Sequence, residues 1–360
     1  MTEPAYPVAR AAAFRVHRHF ELLAPPQTPL AELPTLEAII HVAFWASLRR
    51  EEGHSPRVSM AVLPPDLAPG SLLLDRPVLL TPESLTRVAP AVERPGIHLG
   101  VGPQGEELVM WGTTDHLPPF CLVVEIIAPG LLVVKCSRPR RSQGHETSGK
   151  FVNIAVIEGD QIKVIDQRVA TMPDCPAMLS PLLGLESQFR SDDSTGTLIQ
   201  LAVSMRTHGR GGTLLVVPTA VPERWRESIM TPPLYAVSPP FPIQPNQRYI
   251  DGVAGLTAAD GATIVNDRFE VLAFGAKIVR RAGALQVSQV TISEPIEGSL
   301  ATVIEPAQLG GTRHISAAQF THDQRDALAM VASQDGRFTL FGWSPCEEMV
   351  HARRVEALLL

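Results

Sequence analysis

The twenty residues from 198 to 217 constrain this chain most. Leu198, Leu201, Ala202 and Met205 recur at three- and four-residue steps, the spacing of one helical face. Gly209-Arg210-Gly211-Gly212 then breaks the chain, and residues 213–217 form an apolar run that reads as a buried strand. A Pro-rich excursion over 218–245 follows, then a helix around 249–258. Further strands are expected at 263–265, 271–274, 327–333 and 338–341. Mixed helix and strand order of this kind predicts an α/β fold, with a three-layer C-terminal domain around a central mixed sheet.

The first half reads differently. Residues 1–34 are rich in Pro and Ala and are expected to hug the surface. Residues 35–50 read as a helix, with Leu36, Ile39, Ile40, Ala43, Phe44 and Leu48 on one stripe, Thr35 as cap and Gly53 beyond the end. From 59 to 165, short apolar runs at 72–74, 121–127, 131–134 and 151–157 alternate with Pro and Gly, and Thr81-Pro82-Glu83 signals one short helix. This is a strand-rich α+β pattern.

At 360 residues the chain exceeds the usual single-domain size. The composition shifts predict an N-terminal domain over 1–170, a Pro/Ser/Asp-bearing linker over 171–194, a second domain over 195–345 and a tail over 346–360. The basic stretch 138–145 reads as a solvated loop, or as a contact for an acidic partner or phosphate.

A formal net charge of −6 argues against a broad nucleic-acid-binding surface. No stretch approaches the roughly 18 apolar residues of a membrane helix, and the N-terminus lacks a basic-then-apolar leader. Cys121, Cys136, Cys175 and Cys346 show no zinc-ligand spacing, and Cys121 and Cys136 sit in apolar runs as small buried hydrophobes. His17, His19, His98 and His116 also lack metal-ligand spacing. The expectation is a protein of the reducing cytoplasm.

Two polar motifs interrupt the apolar pattern of the second domain. Asp260-Gly261-Ala262 is an acidic turn opening a strand; alone it is an ordinary Asp-Gly turn. Gly310-Gly311-Thr312-Arg313-His314 joins two glycines, which let a ligand approach the backbone, to a hydroxyl and a planar cation. Its plain reading is a surface loop whose arginine meets a carboxylate. Ser333-Gln334 ends the strongest strand signal of the domain, where α/β folds commonly place ligand contacts. Together an acidic turn and a Gly-Thr-Arg-His turn suit a metal-bound polyphosphate.

The order of these motifs, with Leu272-Ala273-Phe274-Gly275 between them, resembles the diadenylate cyclase (DAC) domain over roughly residues 175–345. In that family two domains meet face to face and convert two ATP into cyclic di-AMP with a divalent metal. The resemblance implies a homodimer or higher oligomer, a nucleotide ligand (ATP or another adenine nucleotide) and Mg or Mn. It implies that Asp260 serves the metal and the attacking 3′-hydroxyl. Gly261, Ala262, Gly311, Thr312, Arg313, His314, Ser333 and Gln334 would contact the nucleotide, with Thr312, Arg313 and His314 against its phosphates.

The chain departs from the family pattern twice. Its Arg-His-Arg ends as Arg313-His314-Ile315, losing a cation, and its Ser-Glu is Ser333-Gln334, losing a carboxylate. The span between the motifs is also longer, suggesting an inserted hairpin around 278–304. Lys277, Arg280 and Arg281 at its start read as solvated side chains, or as replacements for the lost positive charge. The first reading is therefore a nucleotide-binding sensor or regulatory protein, the second an active diadenylate cyclase. The third is an interaction protein with a vestigial pocket.

Overall fold

The computed structural model describes residues 3–25, 28, 31–138, 150–166, 193–220 and 224–360. It divides into two compact units, one reaching Ile165 and including Leu360, the other Asp166–Leu359. Both are α/β. The expected linker lies outside the described residues up to position 192, as do Cys175 and most of the basic stretch 138–145.

In the first unit an eight-stranded sheet has the order β2-β4-β3-β1-β5-β6-β7-β8. The strands are β1 (Val58–Val62), β2 (Leu72–Leu79), β3 (His98–Gln104), β4 (Glu107–Thr114), β5 (Leu122–Ala128), β6 (Leu131–Arg138), β7 (Lys150–Glu158) and β8 (Gln161–Val164). Among its described strands only β1 and β3 pair in parallel. Helices α1 (Val8–Leu23), α2 (Leu33–Ser47) and α3 (Pro82–Val88) pack with Met60, Val124, Val134 and Ile154 in one core.

The expectation of a surface-hugging N-terminus is corrected by α1. Ala9, Ala12, Ala13, Val16 and Phe20 form its buried stripe, and their small side chains disguise the helical period. Helix α2 starts before Thr35, with Pro34 in its first turn, where a missing N–H costs nothing. The signal at Thr81 does start α3: Thr81 and Ser84 bond each other's backbone N–H reciprocally. The 72–74 run lies not in a core but in an exposed edge strand, β2, broken by a register shift between Leu73 and Val78.

The second unit carries a nine-stranded sheet of order β10-β12-β11-β9-β15-β16-β17-β13-β14. Its strands are β9 (Gly212–Val217), β10 (Tyr235–Pro242), β11 (Ala262–Asn266), β12 (Glu270–Ala276), β13 (Val290–Ser293), β14 (Thr302–Ile304), β15 (Leu328–Ala332), β16 (Phe338–Ser344) and β17 (Met349–Arg354). Helices α4 (Asp193–Thr207) and α5 (Gln247–Leu256) cover one face, and α6 (Thr312–Asp323) the other.

The alternation of a strand explains why both faces are apolar. Leu214 and Val216 of β9 point into the core under α4 and α5, while Leu215 and Val217 point into the core under α6. This is the three-layer domain with a central mixed sheet: β9 pairs in parallel with β11 and antiparallel with β15.

Two expectations are corrected here. The excursion at 218–245 contains β10, an edge strand beside β12 that tolerates its prolines because one side carries no ladder. The expected tail at 346–360 contains β17, which lies between β16 and β13 with Val350 and Ala352 in the core under α6. The hairpin expected around 278–304 is present as β13 and β14.

Candidate functional site

The second unit brings the two polar motifs to one cleft. Asp260 and Gly261 form the turn that enters β11, and the antiparallel register pairs Ala262 with Ala276 of β12. Lys277, the next residue, therefore comes alongside Asp260. Gly261 sits at φ +118°, and a Cβ there would lie 2.5 Å from the carbonyl carbon of Gly275. Neither the backbone angle nor the space admits a side chain, so the strands cross here on glycine alone.

The other wall is the start of α6. Gly311 occupies the cap position and no side chain caps this end, which leaves first-turn N–H groups for water or a ligand. Such an end favours anions through both its N–H groups and its dipole. The expected turn at 310–314 is thus a glycine pair leading directly into a helix.

The cleft has a volume of about 470 Å³. Asp260, Gly261, Ala262, Gly311, Thr312, Arg313, His314 and Ser333 all line it. Thr213, Ala276, Ile278 and Ser316, which the sequence did not mark, line it too, as does Lys277, which it offered as a replacement for lost positive charge. Lys277 was visible as a cation following an apolar strand. Nothing local distinguished Thr213 or Ser316.

Gln334 is not among the lining residues; its side-chain amide donates to the carbonyl of Arg210 at 3.4 Å. Arg313 reaches the same region: its Nη1 stands 3.1 Å from where a Cβ on Gly211 would lie, and Gln334 Cγ 3.4 Å from that point. The glycine break before β9 thus leaves room for the Arg313 guanidinium.

Asp260 is 91% exposed and forms an ion pair with Lys277 Nζ. The hydrogen bond from Lys277, then its charge, and more weakly the charge of Arg313 hold the Asp260 carboxyl below the usual carboxylate range. His314 is only 3% exposed. Its ring folds back where a Cβ on Gly310 would stand 2.6 Å from Nδ1, and it packs edge-on to Phe341 at 6.1 Å. Burial lowers its pKa first, Asp335 opposes this, and Arg354, Arg337 and Arg313 lower it further. Burial thus favours the neutral imidazole, and its Nε2 is buried with no hydrogen-bond partner among the described residues.

These donors do not fit a divalent cation well. Hard cations need several oxygen ligands, and even Mg²⁺ held through phosphates uses one or two carboxylates. Among the described residues Asp260 is the one carboxylate lining the cleft, and Lys277 holds it. Among the described residues no group of three or more His, Cys, Asp or Glu is placed to hold a metal.

Between Lys277 and β13, α6 holds the chain in place. Gln319 accepts from Val287 N–H at 3.0 Å and donates to the Leu285 carbonyl at 3.0 Å. Asp323 accepts from Arg281 N–H at 2.8 Å and from the Gln319 amide at 2.9 Å. The Arg281 guanidinium pairs with Glu227 at 2.8 Å, so it is engaged away from the cleft's lining.

Two larger hollows lie elsewhere among the described residues. One of about 600 Å³, between α5 and β10, is lined largely by apolar groups such as Phe241, Val253 and Leu256. Another of about 690 Å³, in the first unit, opens at the carboxyl ends of the parallel pair β1 and β3. Neither brings together several cationic and hydroxyl side chains as the α6 cleft does.

Residues 25–115 match the family model described as "Probable sensor domain DACNV". That stretch falls in the first unit, the half in which the sequence offered no constellation. Among solved structures, the chain is similar to a double-cysteine mutant of DacA from Staphylococcus aureus, at 14% identity and TM-score 0.27, over 43% of this chain and 83% of that one. It is also similar to a protein from Bacillus cereus described as a hypothetical membrane spanning protein, at 14% identity and TM-score 0.30, over 49% of this chain and 71% of that one. Both scores are too low to carry an argument about function. No curated protein matches the chain. Among the described residues, no helix is long and apolar enough to cross a membrane.

Proposed function

We propose that this chain is a nucleotide-binding sensor or regulatory protein, with the α6 cleft as its nucleotide site. One observation carries the reading: Asp260-Gly261-Ala262 and Gly311-Thr312-Arg313-His314, some fifty residues apart in sequence, line one cleft together with Ser333. The phosphate would lie against the α6 N-terminus and Arg313, which supply N–H donors and a planar cation. Thr312, Ser316 and Ser333 offer hydroxyls around it. The match of residues 25–115 to a probable sensor domain supports an input role for the first unit.

The rival reading is an active diadenylate cyclase working as a face-to-face dimer. Asp260 favours it, because at 91% exposure its carboxylate is open to a second copy's ligand. The ion pair with Lys277 and the turning of Gln334 toward Arg210 favour binding without turnover.

Purified protein incubated with ATP and Mg²⁺ or Mn²⁺ separates the readings when both binding and products are measured. The expected result is nucleotide binding without cyclic di-AMP. Cyclic di-AMP that disappears in Asp260→Asn would overturn the sensor reading. Absence of binding at millimolar nucleotide would leave a vestigial pocket.

A further inference from the structure

Given the nucleotide reading above, the charge of the cleft narrows its ligand further. Among its lining residues the ionised side chains are Asp260, Lys277 and Arg313, and His314 is buried and neutral. One negative and two positive charges leave the described lining residues with a net charge of +1, plus the partial positive charge of the α6 N-terminus. Of the cations outside the lining, Arg281 pairs with Glu227 and Arg337 with Asp335, while Arg354 also acts on His314.

A triphosphate chain brings far more negative charge than this lining neutralises. Sites that take one add metal ions and further cations to bridge its oxygens. A phosphate monoester carries about −1.5 to −2 at pH 7, and a phosphodiester about −1. Those charges suit the lining as it stands.

We infer that the cleft takes a nucleotide whose phosphate is a monoester or phosphodiester, and that it does so without a divalent cation, Lys277 supplying the local positive charge. The ammonium already neutralises Asp260, the only carboxylate among the described lining residues. A divalent ion at Asp260 would have to displace Lys277 and then sit among like charges, with Arg313 close by. The site is therefore built for a ligand that accepts hydrogen bonds from Lys277, Arg313 and the α6 N-terminus together.

The full-length protein should be titrated calorimetrically with AMP, cyclic di-AMP and ATP, each in EDTA and again in millimolar Mg²⁺. At least one of AMP and cyclic di-AMP is expected to bind with a Kd that changes less than about twofold between the two conditions. It should bind at least tenfold more tightly than ATP in EDTA. Lys277→Met should weaken that binding about tenfold, and Lys277→Arg should retain most of it, with thermal melts confirming that both variants fold. Binding of ATP that requires Mg²⁺ and exceeds that of the monoester and diester would overturn the inference while leaving a nucleotide site. An unchanged affinity in Lys277→Met would overturn it as well. If none of the three binds, the nucleotide reading fails, and this inference with it.

Discussion

Gly261 and Gly275 meet backbone to backbone: a Cβ on Gly261 would lie 2.5 Å from the Gly275 carbonyl carbon and 2.8 Å from both its oxygen and the Ala276 nitrogen. That crossing holds Asp260 at the mouth of the cleft and delivers Lys277 beside it. Gly261→Ala must therefore both strain the backbone, at φ +118°, and push β12 away. A cost of about 2–5 kcal/mol is expected from strain and overpacking together. Thermal unfolding of the second unit should shift down by roughly 2–4 °C per kcal/mol. A melting temperature within a degree of the wild type would show that the two strands do not cross so closely.

Arg313 should matter to ligand affinity and little to stability. Its guanidinium stands over the glycine break at 211 and lines the cleft, where no ion pair among the described residues engages it. Arg313→Ala removes one of two cations in the lining, and loss of a charge-assisted hydrogen bond costs about 1.5–3 kcal/mol. A tenfold or greater loss of nucleotide affinity, measured by calorimetry at an unchanged melting temperature, is the expected outcome. Equal affinity would remove Arg313 from the site.

Asp323 ties the segment after Lys277 to α6 through Arg281 N–H and Gln319. Its side chain is wholly buried. Asp323→Ala leaves these donors unpaired, at about 1–3 kcal/mol for each buried group left without a partner. Limited proteolysis should then cut between residues 280 and 289 well before the wild type is cut there. Unchanged protection would mean that the segment is held by other contacts.

His351 makes the second unit sensitive to acid. Burial pushes its pKa down to about 4, Glu347 opposing and Arg353 adding to the shift. Its Nε2 lies 2.8 Å from Ser293 Oγ. Because the folded-state value lies below the unfolded one, the unfolded chain binds the proton first as pH falls. The contribution of His351 is fully present above the unfolded pKa near 6.5 and is lost as pH falls toward about 4. It amounts to about 3 kcal/mol by linkage. His98 and His314 are depressed by burial in the same direction. In His351→Gln the melting temperature should fall less steeply than the wild type's over that window; parallel curves would show that His351 is not titrating there.

Thiol chemistry gives a check on the first unit. Burial pushes the Cys121 thiol up to about 12 and the Cys136 thiol up to about 11, whereas Cys346 is exposed. Thiolates are the reactive form, so at pH 8 both buried thiols should resist alkylation in the native protein while Cys346 is modified. Site-resolved mass spectrometry reads this directly. Rapid labelling of Cys121 or Cys136 without unfolding would contradict their burial.

What could be read from the chain alone was whatever is written in local pattern. The apolar run at 213–217 gave β9, the stripe from Leu198 to Met205 gave α4, and Thr81 with Pro82 gave the start of α3. Each is decided by neighbours within a turn or two, where periodicity and capping act. Helix α1 escaped because alanines bury a face without announcing it by hydropathy. Strand β17 escaped because Val350 and Ala352 are too few to stand out among charged residues, and only pairing with β16 and β13 makes them core.

The candidate site divides the same way. The sequence determined its chemistry: an aspartate before a glycine, and a glycine pair before Thr, Arg and His. Only the tertiary structure decided which of these groups meet, because the meeting is made by strand register and helix packing between distant segments. The pairing of Ala262 with Ala276 sets Lys277 against Asp260, and Phe341 with Gly310 folds His314 away as a buried, neutral ring. The residue types named the cleft's donors, and the packing set their charge.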